Sequence, residues 1–345
     1  MKKVLMVAAS LRTGGAEKVA RDLGLLGADR YEFHYLVFED RPGEFEQALT
    51  AAGCRILRMK LPSCNYVNHL TELIRLMKRE RYHIVHAHTM FHCGWVMLAG
   101  KWAGIPVRIA HAHSELGEDG LGRRAYEGVM GLLIRRFATD QVACSPASGR
   151  RLFGKGDFQL IPNGIPTEAF RFDPAARQTI RRALGWENYR VLGHVGRLNR
   201  VKNQKFLLEL MSRLGSGFRL ILVGDGEDRA ALEREIMERT LENRVKLLGN
   251  VENPAPYYSA MDAFLLPSLY EGMPLAVLEA RCNGLNCLVS ERVSLTGPGI
   301  RRLSLEDPEL WVAALEEKWN RIPGNVPDVR EMAEEIYEIY ERSAP

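Results

Sequence analysis

Three groupings of residues in this chain have types and spacings that could do chemistry. Arg197 and Lys202 stand five apart in Gly196-Arg197-Leu198-Asn199-Arg200-Val201-Lys202-Asn203-Gln204, between an apolar run and a helical pattern. Beside a helix N-terminus, two such cations can hold a diphosphate and stabilise it as it leaves; a solvated basic turn is the plain alternative. Glu271-Gly272-Met273-Pro274-Leu275 is followed by Glu279. Pro274 suits the first turn of a helix, so residues 272–275 should present free N–H groups, with Glu271 just before them and Glu279 one to two turns in. Carboxylates accepting from sugar hydroxyls, beside N–H donors for phosphate, would hold a nucleotide sugar by both ends. The ordinary reading is one dipole-facing and one solvated glutamate.

The third grouping is histidine. His86 and His88 alternate on one apolar run, and His111 with His113 on another, so each pair shares a face of a strand. They could ligate a metal, but no Asp or Glu accompanies them at a comparable strand end, and no metal is expected. His113 ends its run beside Ser114 and Glu115 and is the one expected to face a ligand. Weaker signals come from glycines. Thr13-Gly14-Gly15-Ala16-Glu17 opens a helix after the first run and admits an anion at the backbone, without being a GxGxxG nicotinamide signature. Val223-Gly224-Asp225-Gly226 permits close approach of a nucleotide, and Gly249-Asn250-Val251-Glu252 ends a strand where backbone groups could read a base edge.

These residues need elements to position them. Short apolar runs at 4–9, 33–38, 84–87, 107–110 and 141–143, then at 191–195, 219–223, 245–247, 263–266 and 286–289, alternate with helical patterns. That rhythm predicts an α/β chain of two Rossmann-like, doubly wound parallel sheets facing each other across a cleft. Ligands in such sheets lie beyond the carboxyl ends of the strands, which is where every candidate above falls. Ile161-Pro162-Asn163-Gly164-Ile165-Pro166 breaks the pattern and marks a domain boundary. We expect an acceptor-binding domain at 1–165 and a donor-binding domain at 166–325. A terminal segment, 326–345, has an apolar face at Val329, Met332, Ile336 and Ile339 or Tyr340, and is expected to return as a helix to the first domain.

Composition narrows the class. At 345 residues, 46 % apolar and 26 % charged, the chain is globular rather than disordered, and long enough for two cores. A net charge of +4 does not mark a nucleic-acid binder. The charge is uneven: residues 1–165 hold 23 basic and 16 acidic side chains, the remainder 24 and 27. Cys54, Cys64, Cys93, Cys144, Cys282 and Cys287 form no CxxC pair and read as reduced core residues of a cytosolic protein. The start, Met1-Lys2-Lys3 and then an apolar run, resembles a leader peptide but reads better as a buried strand, because Ser10, Arg12 and a Thr-Gly-Gly turn interrupt it. No run approaches the roughly 20 apolar residues that span a bilayer.

Taken in order, Thr13-Gly14-Gly15-Ala16-Glu17, Val85-His86-Ala87-His88, Ala112-His113-Ser114, Ile161-Pro162-Asn163-Gly164-Ile165, Gly196-Arg197 with Lys202-Asn203-Gln204, Val223-Gly224-Asp225-Gly226 and the Glu271/Glu279 pair resemble the GT-B retaining glycosyltransferases of the fourth sequence family, the group 1 enzymes of capsule and exopolysaccharide synthesis. The resemblance covers nearly the whole chain. It implies transfer of a hexose or N-acetylhexosamine from a nucleotide-diphospho-sugar, foremost a UDP-sugar, to a glycan acceptor, with retention and without a bound metal or other cofactor. It implies catalytic roles for His113, Arg197, Lys202 and Glu271: the two cations on the diphosphate, Glu271 on the sugar hydroxyls, His113 near the reacting carbon. It places Glu279 on the ribose, and Gly14, Gly15, Asn163, Gly224, Val251, Gly272, Met273, Pro274 and Leu275 among the substrate contacts. No DxD triplet occurs, and no residue is an obvious covalent nucleophile, so front-face attack is expected, the leaving phosphate taking the acceptor's proton. The family's usual aspartate after Asn-Gly-Ile is Pro166 here, and the segment after Val289 is short.

Arg123, Arg124, Arg135 and Arg136 flank an apolar stretch, 129–134, as a helix docking on anionic headgroups would require, although a surface helix with its apolar face in the core reads the same way. We expect peripheral attachment to the inner membrane face and a polyprenyl-diphosphate-linked acceptor, with acceptor choice set by loops at 63–69 and 117–124. Two rival readings share the fold. A nucleotide-sugar epimerase would turn over UDP-sugar without an acceptor, and the Glu271/Glu279 pair argues against it. A sugar-nucleotide-binding protein that has lost transfer would bind without turnover, which the full set of His113, Arg197, Lys202, Glu271 and Glu279 disfavours.

Overall fold

The computed structural model describes residues 1–12, 14–61, 65–113 and 121–342. The chain forms two compact units, Met1–Gly164 with Val329–Pro345, and Ile165–Asp328. The first holds seven parallel strands: β1 (Lys2–Ala8), β2 (Tyr31–Val37), β3 (Arg55–Arg58), β4 (Ile84–Ala87), β5 (Val107–Ala112), β6 (Asp140–Ala143) and β7 (Gln159–Leu160), in the order β3-β2-β1-β4-β5-β6-β7. The second holds six: β8 (Arg190–Val195), β9 (Phe218–Val223), β10 (Val245–Gly249), β11 (Ala263–Leu266), β12 (Asn286–Ser290) and β13 (Ile300–Leu303), in the order β10-β9-β8-β11-β12-β13. Both orders reverse direction once, between β1 and β4 and between β8 and β11. These are the switch points at which doubly wound sheets leave room for a ligand.

The inner strands are continuous apolar runs because helices cover both faces of each sheet. In the first unit, Leu5, Val7, Val85 and Ala110 face one cluster with Val96, Met97, Met130 and Ile134 of helices Cys93–Ala103 and Leu121–Phe137. Val4, Met6, Ile84 and Ile109 face the other, which is closed by Val19 and Leu23 of helix Gly15–Leu26 and by the C-terminal helix Val329–Arg342. That helix buries Met332, Ile336, Tyr337, Ile339 and Tyr340, its apolar positions recurring every three to four residues, and Tyr337 donates to the Leu23 carbonyl at 2.6 Å. The chain leaves and re-enters the first unit through adjacent segments. Ile165 pairs with Asp328 in a parallel bridge and its N–H donates to Pro327 O at 3.1 Å.

Several expectations need amending. The helix after Pro274 begins at Leu275, one residue later than expected: Pro274 is extended, with ψ 115°, and occupies the capping position instead of the first turn. The segments expected as acceptor loops are partly helical, since Tyr66–Glu80 and Leu121–Phe137 already include His69 and Arg123–Arg124. Thr13, Cys64, Ser114 and Glu115 lie outside the described residues. The five described cysteines are buried and form no disulfide. Among the described residues no helix is long and apolar enough to cross a membrane.

Candidate active site

In the second unit the candidate residues gather where β8 and β11 end. After β8 the chain makes a turn in which the Asn199 side chain accepts from the Lys202 N–H at 3.0 Å. Asn203 then adopts a left-handed conformation (φ 55°) to cap helix Gln204–Arg213, its amide donating to Pro267 O beyond β11 at 3.2 Å. From the other side, the Glu271 backbone is pinned by a bridge to Val293, and Leu269 N–H donates to Val201 O at 2.8 Å. These constraints bring Lys202 Nζ and a Glu271 carboxylate oxygen into an ion pair, each side chain 19 % exposed. A cation and a carboxylate thus stand together at the switch point.

Arg197 is not part of this pair. Its side chain is more than half exposed and pairs with Glu227, Nε to Oε2 at 3.1 Å. Its backbone is fixed, however, because buried Gln204 donates to Arg197 O at 2.8 Å and lies 3.1 Å from His194 Nε2. His194 Nδ1 donates to Leu265 O at 2.9 Å, so Nε2 keeps a lone pair that accepts from Gln204. Burial holds this imidazole neutral, its pKa pushed down to about 4. Sequence reasoning missed His194, whose single occurrence inside an apolar strand carries no periodic signal.

Glu279 lies on the second turn of helix Leu275–Cys282 and is 4 % exposed. The Tyr258 hydroxyl donates to its Oε2 at 2.7 Å, so one carboxylate oxygen is held from below. Tyr258 is fully buried against Phe170 and Phe264, and burial, reinforced by Glu279, pushes its pKa well above the ordinary value. It too was missed, reading only as a core aromatic. Gly272, Pro274 and Leu275 are buried, and Met273 and Val251 are half-buried with their side chains against the unit's apolar clusters. Gly224 has φ 131°, and a Cβ there would collide with the Gly196 carbonyl. Close packing of the neighbouring loop against this backbone is therefore one reason for glycine here.

In the first unit, Gly14 is the extended cap of helix Gly15–Leu26 and accepts from the Lys18 N–H at 2.9 Å. The Glu17 carboxylate folds over Gly14, while a Cβ on Gly15 would meet nothing within 4 Å. His113 follows β5 directly. It stacks on His111 at 4.1 Å between centroids and sits 2.7 Å from His88, Nε2 to Nδ1. Asn163 is buried beside it and weakly favours its protonated form, yet burial dominates and pushes the His113 pKa down to about 4. Behind it, His86 bonds Tyr340 Oη at 2.8 Å and His111 Nδ1 at 3.1 Å. His86, His88 and His111 are the described residues whose ligand atoms, within 4.8 Å of one another, could hold a metal ion. Apart from His111 Nε2, their ring nitrogens are already engaged, and burial holds all three pKa values well below the ordinary value, so the array is largely satisfied as neutral imidazoles.

Comparison with known proteins bears on this arrangement. The family model described as "Glycosyl transferases group 1" matches residues 176–296, and "Glycosyltransferase Family 4" matches 13–169. The chain is 33 % identical to the putative glycosyltransferase EpsF of Bacillus subtilis over 91 % of this chain and 87 % of that one. It is 25 % identical, over 99 % of both, to the capsular polysaccharide biosynthesis glycosyltransferase CapH of Staphylococcus aureus. A UDP-Gal:alpha-D-GlcNAc-diphosphoundecaprenol alpha-1,3-galactosyltransferase of Escherichia coli is 28 % identical over 80 % of this chain and 76 % of its own length. Among solved structures, HepE of Anabaena in complex with UDP-glucose superposes with a TM-score of 0.83 at 23 % identity, covering 98 % of this chain and 99 % of that one. That likeness establishes the same two-domain GT-B fold.

Proposed function

The chain belongs to the group 1 glycosyltransferases, and from that premise we propose that it moves a hexose or N-acetylhexosamine from a UDP-sugar to a lipid-linked glycan in bacterial surface polysaccharide synthesis, with retention and without a metal. The observation that carries this reading is the Lys202–Glu271 pair at the β8/β11 switch point. A diphosphate arriving there would take over Lys202, releasing Glu271 to accept from the hydroxyls of the transferred sugar. Arg197 would join Lys202 by leaving Glu227, and an exposed ion pair of that kind is worth about 0–1 kcal/mol, so its release costs little. Two cations and helix N–H groups then carry the leaving-group charge that a divalent ion carries elsewhere. The acceptor attacks on the face the diphosphate leaves, and the departing phosphate oxygen takes its proton. Glu279 holds the ribose, and His113 with Asn163 meets the sugar. The galactosyltransferase relative supports a UDP donor and an undecaprenol-linked acceptor, and CapH supports a capsular product.

Transfer from a panel of UDP-hexoses and UDP-N-acetylhexosamines to polyprenyl-diphosphate-linked sugars, with the product anomer read by NMR, tests the reading. An axial linkage from an axial donor is expected. An inverted anomer, or turnover of UDP-sugar without acceptor, contradicts it, and the latter restores the epimerase.

For the acceptor's location we propose peripheral attachment to an anionic inner leaflet. Helix Leu121–Phe137 turns Val129 and Leu132 outward, 55 % and 58 % exposed, while Met130 and Ile134 are buried. Arg124, Arg135 and Arg136 are exposed on the same helix, and Trp102, 57 % exposed, ends the helix packed beside it. Flotation with acidic liposomes, wild type against a variant with Glu at Arg123, Arg124, Arg135 and Arg136, should show loss of recovery. Equal recovery of both sinks the attachment.

A further inference from the structure

β4 and β5 place His86, His88, His111 and His113 on one side of the first unit's sheet, under the C-terminal helix, and the roles assigned above use only the last. Each of the four is held neutral by burial. A neutral imidazole carries one N–H, and its neighbours decide which nitrogen bears it. For His88 the choice is made by Met6: Nε2 lies 3.0 Å from Sδ, and a thioether offers only lone pairs, so Nε2 carries the proton. His88 Nδ1 is then an acceptor, and the nitrogen 2.7 Å away, His113 Nε2, must donate into it. The opposite tautomers would set the lone pair of His88 Nε2 against those of the sulfur. His113 is left with its own lone pair at Nδ1, an atom that makes no direct hydrogen bond to a described residue, although the Asn163 side chain lies beside the ring and interacts with it.

We propose that His88, backed by Met6, is a positioning residue that fixes His113 as its Nε2–H tautomer, so that Nδ1 accepts a hydrogen bond from a hydroxyl of the transferred sugar. The inference rests on the reading that His113 meets the donor sugar. It adds a direction to that contact: His113 recognises a sugar by a hydroxyl it accepts from, and a donor deoxygenated at that carbon loses the bond. Met6, His88 and His113 thereby form one line from the core of the sheet to the ligand. Asn at position 88 keeps an acceptor where His88 Nδ1 stands, whereas Leu removes it.

The test uses the full chain labelled with 15N-histidine, in wild type, His88→Asn and His88→Leu, with long-range 1H–15N correlations reporting which His113 nitrogen is protonated. The expected result is Nε2–H in wild type and His88→Asn, and a shift toward Nδ1–H in His88→Leu. In parallel, His88→Leu should lower kcat/KM for the UDP-sugar roughly tenfold, the worth of about one hydrogen bond, with UDP affinity unchanged and His88→Asn restoring most of the loss. Met6→Leu, a change of similar volume, is the second variant should His88→Leu fail to fold, and it should loosen the tautomer in the same direction. Nδ1–H on His113 in the wild type overturns the proposal, as does a His88→Leu variant that folds and keeps both tautomer and turnover. Full activity in His113→Ala would instead remove the reading beneath it, while leaving the tautomer result intact.

Discussion

Lys202 and Glu271 neutralise each other at a strand switch point, and this pairing of a phosphate-binding cation with a sugar-binding carboxylate orders the predictions at the residue scale. Lys202→Met should lower kcat/KM by roughly 10²–10³, as expected for a group that stabilises leaving-group charge, while the melting temperature moves little; initial rates and a melt on the same preparation check both. A comparable loss from Glu271→Gln, with UDP affinity retained, would place Glu271 on the sugar rather than the nucleotide. Tyr258→Phe deletes the hydrogen bond to Glu279 and should cost about 1 kcal/mol of stability, with weaker UDP binding by calorimetry. If UDP affinity is unchanged in that variant, Glu279 does not hold the ribose. The types and spacing of Lys202, Glu271 and Glu279 were legible in the sequence. That Lys202 meets Glu271 was not, because the contact joins loops after β8 and β11, and no local pattern encodes which loops converge.

Elements explain the rest of that gap. The inner strands, from β1 at Lys2–Ala8 to β12 at Asn286–Ser290, announce themselves as apolar runs because both their faces are covered. β3, β7 and β13 escaped the sequence reading: Arg55-Ile56-Leu57-Arg58 and Ile300-Arg301-Arg302-Leu303 lie at sheet edges, where charged side chains in solvent are compatible with pairing on one side only, and the edge strand Gln159-Leu160 is too short to leave a pattern. The glycine after β9 has a packing role that its place in the sequence did not signal. Its left-handed backbone lets the loop after β9 pass against the loop that carries Arg197, so it shapes the site through packing. Gly224→Ala should therefore destabilise the second unit by about 1–3 kcal/mol, read by denaturant unfolding in the absence of any ligand. A variant as stable as wild type that has lost only UDP binding would assign Gly224 to the ligand and not to packing.

At the scale of the whole molecule, the C-terminal helix decides both charge and stability. The N-terminal half carries a marked basic excess, but the returning segment brings five glutamates and two arginines, so the first unit holds 25 basic and 21 acidic side chains and the second 22 of each. Attraction to an anionic surface then depends on where the arginines stand rather than on net charge. Removal of residues 329–345 would uncover Tyr31, Phe33 and Val19, and at about 1.5–3 kcal/mol for each buried side chain lost, the first unit should not fold, giving a truncated protein with one surviving melting transition. Acid should act on the same unit. His34, His69, His86, His88, His92, His111 and His113 all have pKa values lowered by burial, against His194 alone in the second. A lowered folded pKa means the unfolded chain binds more protons below about pH 6.5, so stability is complete above that pH and falls as pH drops toward the folded values. Each fully buried histidine contributes about 1 kcal/mol per pH unit in that window. Between pH 7 and 5 the first unit should lose its melting temperature faster than the second, and parallel losses would contradict the neutral-histidine account.

The central claim, a nucleotide-diphosphate site built from cations without a metal, is tested most directly by thermal shift with UDP, GDP and ADP, with and without EDTA, on wild type, Arg197→Ala and Lys202→Ala. UDP at about 100 times its dissociation constant should add roughly 2.7 kcal/mol, a shift of several degrees, equal with and without EDTA and lost in both variants. No shift with any nucleotide, or one that appears only when a divalent ion is present, would contradict it.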